Sequence, residues 1–322
     1  MPYRAEHKNV VPYIGTIWAD ISMTKIESLR RIGMVGLGDQ GQPMARLYIQ
    51  GGWPFTFFAR RPEVVSEFTG RGATFAPTMR ELGAASDVVL VIVNDDADVR
   101  EVVIEQKMYE GMRPGGVIVI HSTVRPDTCE EVAAAARPYG VQVVDAPVSG
   151  GPQRTHDGEL SMPIGCDDPG LFDAIKPVLD VTGRYVHRMG KLGAGQITKL
   201  LNNLYYAAHL VTARDEAQLV MALGLDVKGA AEILPTCSGS SDVFRQSAIA
   251  PDPFRPVGHL YHGVWRPRAT GAQVDLIREV FKSRGVDIET MFPHTHALVE
   301  ESMRRGFTYG TVADPPAGAE SE

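Results

Sequence analysis

The sequence has few features suited to export, membrane insertion or metal binding. Its three cysteines, Cys129, Cys166 and Cys237, are widely spaced and form neither a disulfide framework nor a zinc motif. No uninterrupted apolar run reaches the roughly 18 residues that a membrane-spanning helix requires, and the histidines show no metal-ligand spacing. We therefore expect a cytoplasmic protein that holds no metal and binds no membrane.

The sequence also lacks an excess of positive charge. Lysine and arginine total 32 against 39 acidic residues, a net charge of −7, whereas nucleic-acid-binding domains concentrate basic residues. Nucleic acid is therefore not an expected partner, and a small molecule is favoured. Apolar residues make up 44% of the 322 residues, which is enough to form a core in each of two domains of ordinary size.

From residue 31 to about residue 188, apolar β-rich runs alternate with amphipathic stretches. This alternation is typical of an α/β fold, a doubly wound Rossmann-type parallel sheet with helices on both faces. The run 88–93 is apolar throughout, so we expect it to form a central strand buried on both sides. Strands are expected at 32–35, 55–58, 88–93, 117–121, 141–145, 162–164 and 185–186, and helices at 42–50, 62–69, 98–103, 127–136 and 169–178.

Beyond Gly195 the pattern changes to apolar residues at intervals of three and four. This spacing predicts a long helix of about 28 residues, which Gly224 is placed to end. Two more helical patterns follow, near 273–283 and 293–305, without convincing strands. We therefore expect an extension over 1–30, a dinucleotide-binding domain over 31–192, an all-helical domain over 193–309 and an acidic flexible tail over 310–322.

A glycine-rich motif follows the first expected strand and opens the first expected helix. Gly36 permits a tight turn, Gly38 lets backbone N–H groups approach a pyrophosphate, and Gly41 allows the helix to pack closely, with its N-terminus facing the phosphates. Without the flanking strand and helix, such a motif would indicate only a glycine turn. The coenzyme-binding residues expected in this loop are Gly36, Leu37, Gly38, Asp39, Gln40 and Gly41.

The second expected strand ends in Arg60-Arg61. An NAD-binding chain would carry an acidic residue at this point for the ribose 2′-hydroxyl. Two guanidinium groups would instead attract a 2′-phosphate through bidentate hydrogen bonds. NADP is therefore the expected coenzyme, with NAD as the less favoured one, unless the arginines only solvate the start of a helix.

Three later segments carry side chains suited to carbonyl chemistry. Ser122-Thr123 follows an expected strand, and Ser149 precedes two glycines, so that a hydroxyl and unobstructed N–H groups could hold a carboxylate. Lys199 and Asn203 are four residues apart on one face of the long helix. A lysine there could stabilise the negative charge that hydride transfer leaves on a carbonyl oxygen and then donate a proton.

With these motifs in the order Gly36–Ala45, Asp145–Gly151 and Gly193–Asn203, the chain resembles the β-hydroxyacid dehydrogenase family. The family includes 3-hydroxyisobutyrate dehydrogenase, tartronate semialdehyde reductase and glyoxylate/succinic semialdehyde reductases. The resemblance covers residues 31 to about 305. It implies hydride transfer between a nicotinamide and a short β-hydroxy acid or semialdehyde.

The resemblance also implies roles for particular residues. Lys199 would do acid–base work, and a small carboxylate-bearing substrate would contact Asn203 and the Ser149 loop. The coenzyme would contact the loops that follow the central strands. The residues carried over are Lys199, Asn203 and Ser149 as catalytic; Ser149, Gly150, Gly151, Ser122 and Asn203 as substrate-binding; and Val93, Asn94, Ser122 and Thr123 as coenzyme-binding.

The chain departs from the family pattern in three places. His121 stands where the family usually has an acidic residue, and Asn94-Asp95 stands where it usually has a proline. Ala272-Gln273 occupies the place of a Lys-Asp pair that helps to close the cleft, which puts the usual closure contacts and substrate range in doubt. Nearby Trp265, Arg266 and Arg268 are candidates to line the pocket instead.

Two other functions are compatible with the motifs. Imine reductases resemble this fold and its NADP loop but generally lack the helix lysine, so Lys199 argues against that activity. A non-catalytic NADPH-binding module would not need Ser149, Lys199 and Asn203 together. The long helix is also apolar around much of its circumference, including Tyr205 and Leu210, so we expect a homodimer or homotetramer.

Overall fold

The computed structural model describes residues 29–241, 243–245 and 269–304. Its sheet has eight strands in the order β3-β2-β1-β4-β5-β6-β7-β8. All neighbours are parallel except β6 and β7. The strands are β1 Ile32–Val35, β2 Phe55–Phe58, β3 Thr74–Phe75, β4 Val88–Val91, β5 Val117–Ile120, β6 Gln142–Asp145, β7 Leu160–Gly165 and β8 Gly183–Gly190.

Helices cover both faces of this sheet, as a doubly wound fold requires. They are α1 Gly41–Gln50, α2 Pro62–Gly70, α3 Met79–Ala84, α4 Asp96–Val99, α5 Pro126–Ala136, α6 Gly151–His156 and α7 Pro169–Leu179. A π-helical turn, Arg100–Glu105, continues α4. The helices after the sheet are α8 Ala194–Ala222, α9 Val227–Ile233, α10 Ala269–Ser283, α11 Ile288–Met291 and α12 Pro293–Arg304.

The alternation of side chains along each strand builds two separate cores. In β5, Val117 and Val119 join the core under α1, α2 and α7, whereas Ile118 and Ile120 join the core under α3 and α5. Strand β4 is buried at all four positions and is the fourth of the eight strands. The prediction that this run forms a central strand is therefore confirmed.

The long helix α8 packs across β7 and β8 and against α10 and α12. Its Leu200, Leu204 and Ala208 share a third core with apolar residues of α10 and α12, including Ile277 and Val299. The expected Rossmann-type sheet followed by helices is confirmed for the described residues, and α8 is 29 residues long. Among these residues, every helix is too short or too polar to span a lipid bilayer.

The structure adds elements that the sequence patterns did not indicate. The two-residue strand β3 and the short helices α3, α6, α9 and α11 were not expected, because elements this short show no clear periodicity. Strand β4 ends at Val91 rather than at residue 93. The expected extension over 1–30 lies outside the described residues except for positions 29 and 30, and the tail over 310–322 lies wholly outside them.

Candidate active site

Four loops meet at one edge of the sheet. Strands β1, β4, β5 and β6 are parallel neighbours, so the segments after Val35, Val91, Ile120 and Asp145 leave the sheet on the same side. In open α/β sheets, ligands bind in the crevice outside these carboxyl ends. The predicted coenzyme and substrate loops are therefore brought together at this edge.

The glycine-rich loop has the geometry of a dinucleotide-binding turn. Gly36 has a φ of 99°, and a Cβ on it would lie 2.0 Å from the Ile92 carbonyl oxygen. A Cβ on Gly38, in contrast, would have no atom of the described residues within 4 Å apart from its chain neighbours. The space beside Gly38 is thus open to a ligand at the start of α1, and the residues of this loop fit a coenzyme pyrophosphate.

The two arginines after β2 make different contacts. Arg61 Nη2 donates a hydrogen bond to the Leu37 carbonyl at 2.8 Å, so its side chain braces the glycine-rich loop. Arg60 is also exposed, but it makes no hydrogen bond or ion pair with any residue that the structure describes. Among the described residues Arg60 thus has no competing partner, whereas one nitrogen of Arg61 is already bonded to Leu37.

The loops after β4 and β5 are joined by one hydroxyl. Ser122 Oγ accepts a hydrogen bond from the Val93 N–H at 2.8 Å and donates to the Val93 carbonyl at 2.9 Å. Asn94 is exposed and donates to Asp98, and Thr123 is half-buried nearby. Because the Ser122 proton is already donated to Val93, this side chain joins the two loops; its predicted contact with substrate and coenzyme stays a prediction.

The predicted carboxylate loop runs as an extension of β6. Asp145 lies opposite Gly165, and Ser149 forms an antiparallel bridge with Ser161, which places residues 145–149 alongside β7. The chain then turns at Gly150, with a φ of 145°, into α6. Ser149 is half-buried, and its backbone hydrogen bonds to Ser161 fix its backbone beside β7.

Lys199 and Asn203 are both buried on α8, with 8% and 9% of their surfaces exposed. Among the described residues, no carboxylate pairs with the Lys199 ammonium. Burial lowers the pKa of Lys199 from 10.5 to about 8, because desolvation disfavours the charged form. The helix thus presents a lysine that can both give and take a proton near neutral pH.

Two further buried polar residues, Asp145 and Gln196, surround the start of α8. The Asp145 carboxylate accepts the N–H groups of Gly193 and Gln196, each at 2.7 Å. Burial raises the pKa of Asp145 to about 6, and these hydrogen bonds act against the rise. Asp145 therefore ends β6 and binds the N-terminus of α8.

Gln196 was not among the predicted site residues. Its side-chain amide accepts the Val124 N–H at 3.0 Å and donates to the Ser122 carbonyl at 2.9 Å. The motif Gly193–Asn203 contains this residue, but sequence spacing alone does not reveal a contact with a loop more than 70 positions earlier. The structure thus identifies a link between α8 and the loop after β5.

His121 is fully enclosed at the end of β5. Its Nδ1 lies 2.7 Å from the Ala146 carbonyl, so that nitrogen carries the proton, and Nε2 has no hydrogen-bond partner among the described residues. Burial lowers the pKa of His121 to about 4, which keeps the ring neutral at physiological pH. His121 therefore ties β5 to the start of the Ser149 loop rather than supplying a charge.

The residues that replace the family's closure pair are only partly described. Ala272 and Gln273 lie within the backbone of α10, whereas Trp265, Arg266 and Arg268 lie outside the described residues. The pocket-lining role expected of those three residues stays a prediction.

Comparisons with known proteins identify relatives of this chain. Residues 31–190 match the family described as the NAD binding domain of 6-phosphogluconate dehydrogenase. An uncharacterized oxidoreductase of Mycobacterium tuberculosis is 32% identical over 246 residues, which are 73% of this chain and 82% of that protein. The NAD-dependent L-serine dehydrogenase of Pseudomonas aeruginosa is 30% identical over 214 residues, 66% of this chain and 72% of that enzyme. The chain belongs to the β-hydroxyacid dehydrogenase family.

Solved structures support the same fold. The 3-hydroxyisobutyrate dehydrogenase of Mycobacterium tuberculosis with L-serine superposes with a TM-score of 0.73 at 21% identity, covering 88% of this chain and 95% of that one. An imine reductase of Streptomyces aurantiacus gives a TM-score of 0.56 at 20% identity, with 87% and 95% covered. These likenesses show the fold. The family match and the named relatives make the protein an oxidoreductase of the hydroxyacid dehydrogenase type with an NAD(P)-binding domain.

Burial of Lys199 leads to a prediction about stability. A pKa that falls from 10.5 to about 8 destabilises the folded state at neutral pH by about 3 kcal/mol, because the folded state binds the proton less tightly than the unfolded chain. We expect Lys199→Met to raise the free energy of unfolding below pH 8. The stability gain of the variant over wild type should shrink between pH 8 and 10.5. In that range the wild-type folded state holds fewer protons than its unfolded state, so its free energy of unfolding rises with pH.

Urea denaturation at pH 7 and pH 10 measures both effects. Lys191→Met, at an exposed lysine just before α8, is the matched control and should leave stability nearly unchanged. A Lys199→Met protein that is less stable than wild type at pH 7 would show that the ammonium is compensated in the folded state.

Proposed function

We propose that this protein is an NADP-dependent enzyme that interconverts a short β-hydroxy acid and its semialdehyde or oxo acid. The observation that carries the proposal is the buried Lys199, which has no carboxylate partner within residues 29–241, 243–245 and 269–304 and lies one helical turn from Asn203 on the same face of α8. An ammonium without a carboxylate partner is suited to stabilise charge on a substrate oxygen. The family relationship supports chemistry at a hydroxyl-bearing carbon.

In this proposal the protein supplies position and proton transfer. The nicotinamide accepts or donates the hydride when the coenzyme is bound. Lys199 takes the hydroxyl proton during oxidation and returns it to the carbonyl oxygen during reduction. The Asn203 amide orients the substrate beside the lysine, and the Ser149 hydroxyl with the N–H groups of Gly150 and Gly151 holds the substrate carboxylate.

The proposed substrate class follows from this division of the site. A carboxylate-binding loop on one side and an acid–base lysine on the other suit a short acid whose hydroxyl lies one carbon beyond the α-carbon. The relative named L-serine dehydrogenase acts, by its name, on such a β-hydroxy acid. Trp265, Arg266 and Arg268 are proposed to complete the pocket in place of the family's closure pair.

The pKa of Lys199 gives a prediction for pH dependence. Oxidation of the alcohol needs the neutral amine, so kcat/KM should rise with pH and level off above about pH 8. Reduction of the carbonyl needs the ammonium, so kcat/KM should fall above the same pH. Initial rates in both directions between pH 6 and 10, with a panel of short β-hydroxy acids and semialdehydes, measure these profiles.

Lys199→Met should lower kcat by about 100- to 10,000-fold and remove that pH limb. Because the variant lacks the side chain that titrates, a limb that persists at pH 8 would contradict the assignment. Rates measured by NADPH absorbance with a panel of cyclic imines test the imine reductase alternative. Turnover of imines alone by wild-type protein would favour that activity, and turnover of nothing would favour a coenzyme-binding module.

The coenzyme preference leads to a separate prediction. We assign the 2′-phosphate of NADP to Arg60, since Arg61 is already bonded to Leu37. Arg60→Asp should reduce the ratio of kcat/KM for NADPH over NADH by about 10- to 100-fold, as expected for loss of a charge-assisted hydrogen bond. Arg61→Lys is the matched control and should change that ratio much less. An unaltered ratio in Arg60→Asp would refute the assignment.

Self-association is proposed for the helical part of the chain. Leu201, Tyr205, Leu219 and Met221 of α8 are 44 to 59% exposed, and a second copy of the chain could cover such apolar side chains. Sedimentation velocity at micromolar concentration should therefore show a homodimer or a homotetramer. A single species of 35.0 kDa would contradict this proposal. We also propose that the protein is cytoplasmic.

A further inference from the structure

The start of helix α8 is joined to the sheet by side chains that the proposed chemistry does not use. Asp145 binds the N–H groups of Gly193 and Gln196. Asp145 and Gln196 are both fully buried. Space for the carboxylate depends on small neighbours, because a Cβ on Gly195 would lie 2.7 Å from Asp145 Oδ2. This contact therefore fixes the first turn of α8 against the end of β6.

A second set of hydrogen bonds runs from that turn to the coenzyme side of the crevice. Gln196 bonds the backbone of Ser122 and Val124, and Ser122 bonds both backbone groups of Val93. These hydrogen bonds connect the ends of β4, β5 and β6 with α8. They run through Asp145, Gln196, Ser122 and Val93, which are here called the hydrogen-bond network. Each hydrogen bond joins residues that are distant in the sequence and that meet only in the folded protein.

We propose that Asp145 and Gln196 are positioning residues that hold Lys199 at the correct place relative to the coenzyme loops. This inference rests on the proposed function. Lys199 lies three residues after Gln196, about 4.5 Å along the axis of a rigid helix. A shift or tilt of the first turn would therefore move the ammonium relative to the crevice. Misplacement by about 1 Å can cost 100-fold in rate.

The hydrogen-bond network positions Lys199 through the helix backbone and not by forming an ion pair with it. Burial accounts for the lowered pKa of Lys199, so Asp145 does not act as its counter-ion. The negative charge of Asp145 is instead stabilised by the N–H groups of the α8 N-terminus. Asp145 can therefore hold the helix in place while Lys199 remains free to titrate.

Gln196→Met tests the inference because methionine has nearly the same length and shape and makes neither hydrogen bond. We expect kcat to fall about 10- to 100-fold, with the dissociation constant for NADPH changing less than about threefold. The pKa of Lys199, followed by NMR of the side-chain methylene next to the amine in lysine-labelled protein, should move up towards 10.5. Loosening of the first turn would admit water to the ammonium.

Tyr48→Phe is the matched control, since it also removes a buried hydrogen bond to a backbone carbonyl, that of Val178, and this bond joins the ends of α1 and α7. It should lower the melting temperature and leave kcat and the pKa of Lys199 unchanged. If Gln196→Met lowers the melting temperature alone, the residue is merely structural and the inference is wrong.

If Gln196→Met does not fold, Asp145→Asn, which keeps one acceptor oxygen, is measured in its place, and an unchanged pKa of Lys199 overturns the inference. The NMR measurement needs no substrate, so it still decides the positioning role if the proposed reaction is wrong. Loss of turnover in Lys199→Met tests the reaction itself, independently of the hydrogen-bond network.

Discussion

A buried ammonium without a counter-charge must be held in place by the structure around it, because water or a carboxylate would otherwise stabilise it better. Lys199 is buried on α8, no carboxylate among the residues that the structure describes pairs with it, and burial brings its pKa to about 8. The proposed proton transfer depends on this constraint. A lysine that is solvated or paired with an acid would hold its proton up to about pH 10, whereas Lys199 releases its proton near pH 8 and can then accept one from an alcohol.

The sheet and the long helix meet this constraint together. Parallel strands bring four loops to one edge, and the antiparallel pairing of β6 with β7 turns the Ser149 loop into an extended segment along that edge. Helix α8 starts beside Asp145 and packs against the helices that follow. The loops after β5 and β6 and the helix that carries the lysine therefore meet where Asp145 and Gln196 form their hydrogen bonds.

Much of the fold follows from patterns that are local in the sequence. The apolar β-rich runs predicted the central strand, and the three- and four-residue spacing after Gly195 predicted α8 with nearly its observed ends. The grouping of the glycine-rich loop with the loops that carry Ser122 and Ser149 follows from strand order. Short elements such as Thr74–Phe75 and Met79–Ala84 were missed, because two to six residues cannot display a period and depend on packing.

Contacts between distant segments account for what the sequence could not predict about the site. Arg60 and Arg61 are identical in type and adjacent, yet only Arg61 is bonded to Leu37. Similarly, Gln196 has no distinguishing feature until α8 is placed beside the loop after β5, and the Ser122 hydroxyl is used by Val93. These assignments depend on side-chain directions in three dimensions, which neither composition nor spacing determines.

The most direct test of the account is a crystal structure of the wild-type protein with NADP and a short β-hydroxy acid bound together. The account predicts Lys199 Nζ within hydrogen-bonding distance of the substrate hydroxyl, about 2.6–3.2 Å, with the substrate carboxylate at Ser149, Gly150 and Gly151. A substrate bound in the opposite orientation, or a hydroxyl beyond the reach of Lys199, would contradict it.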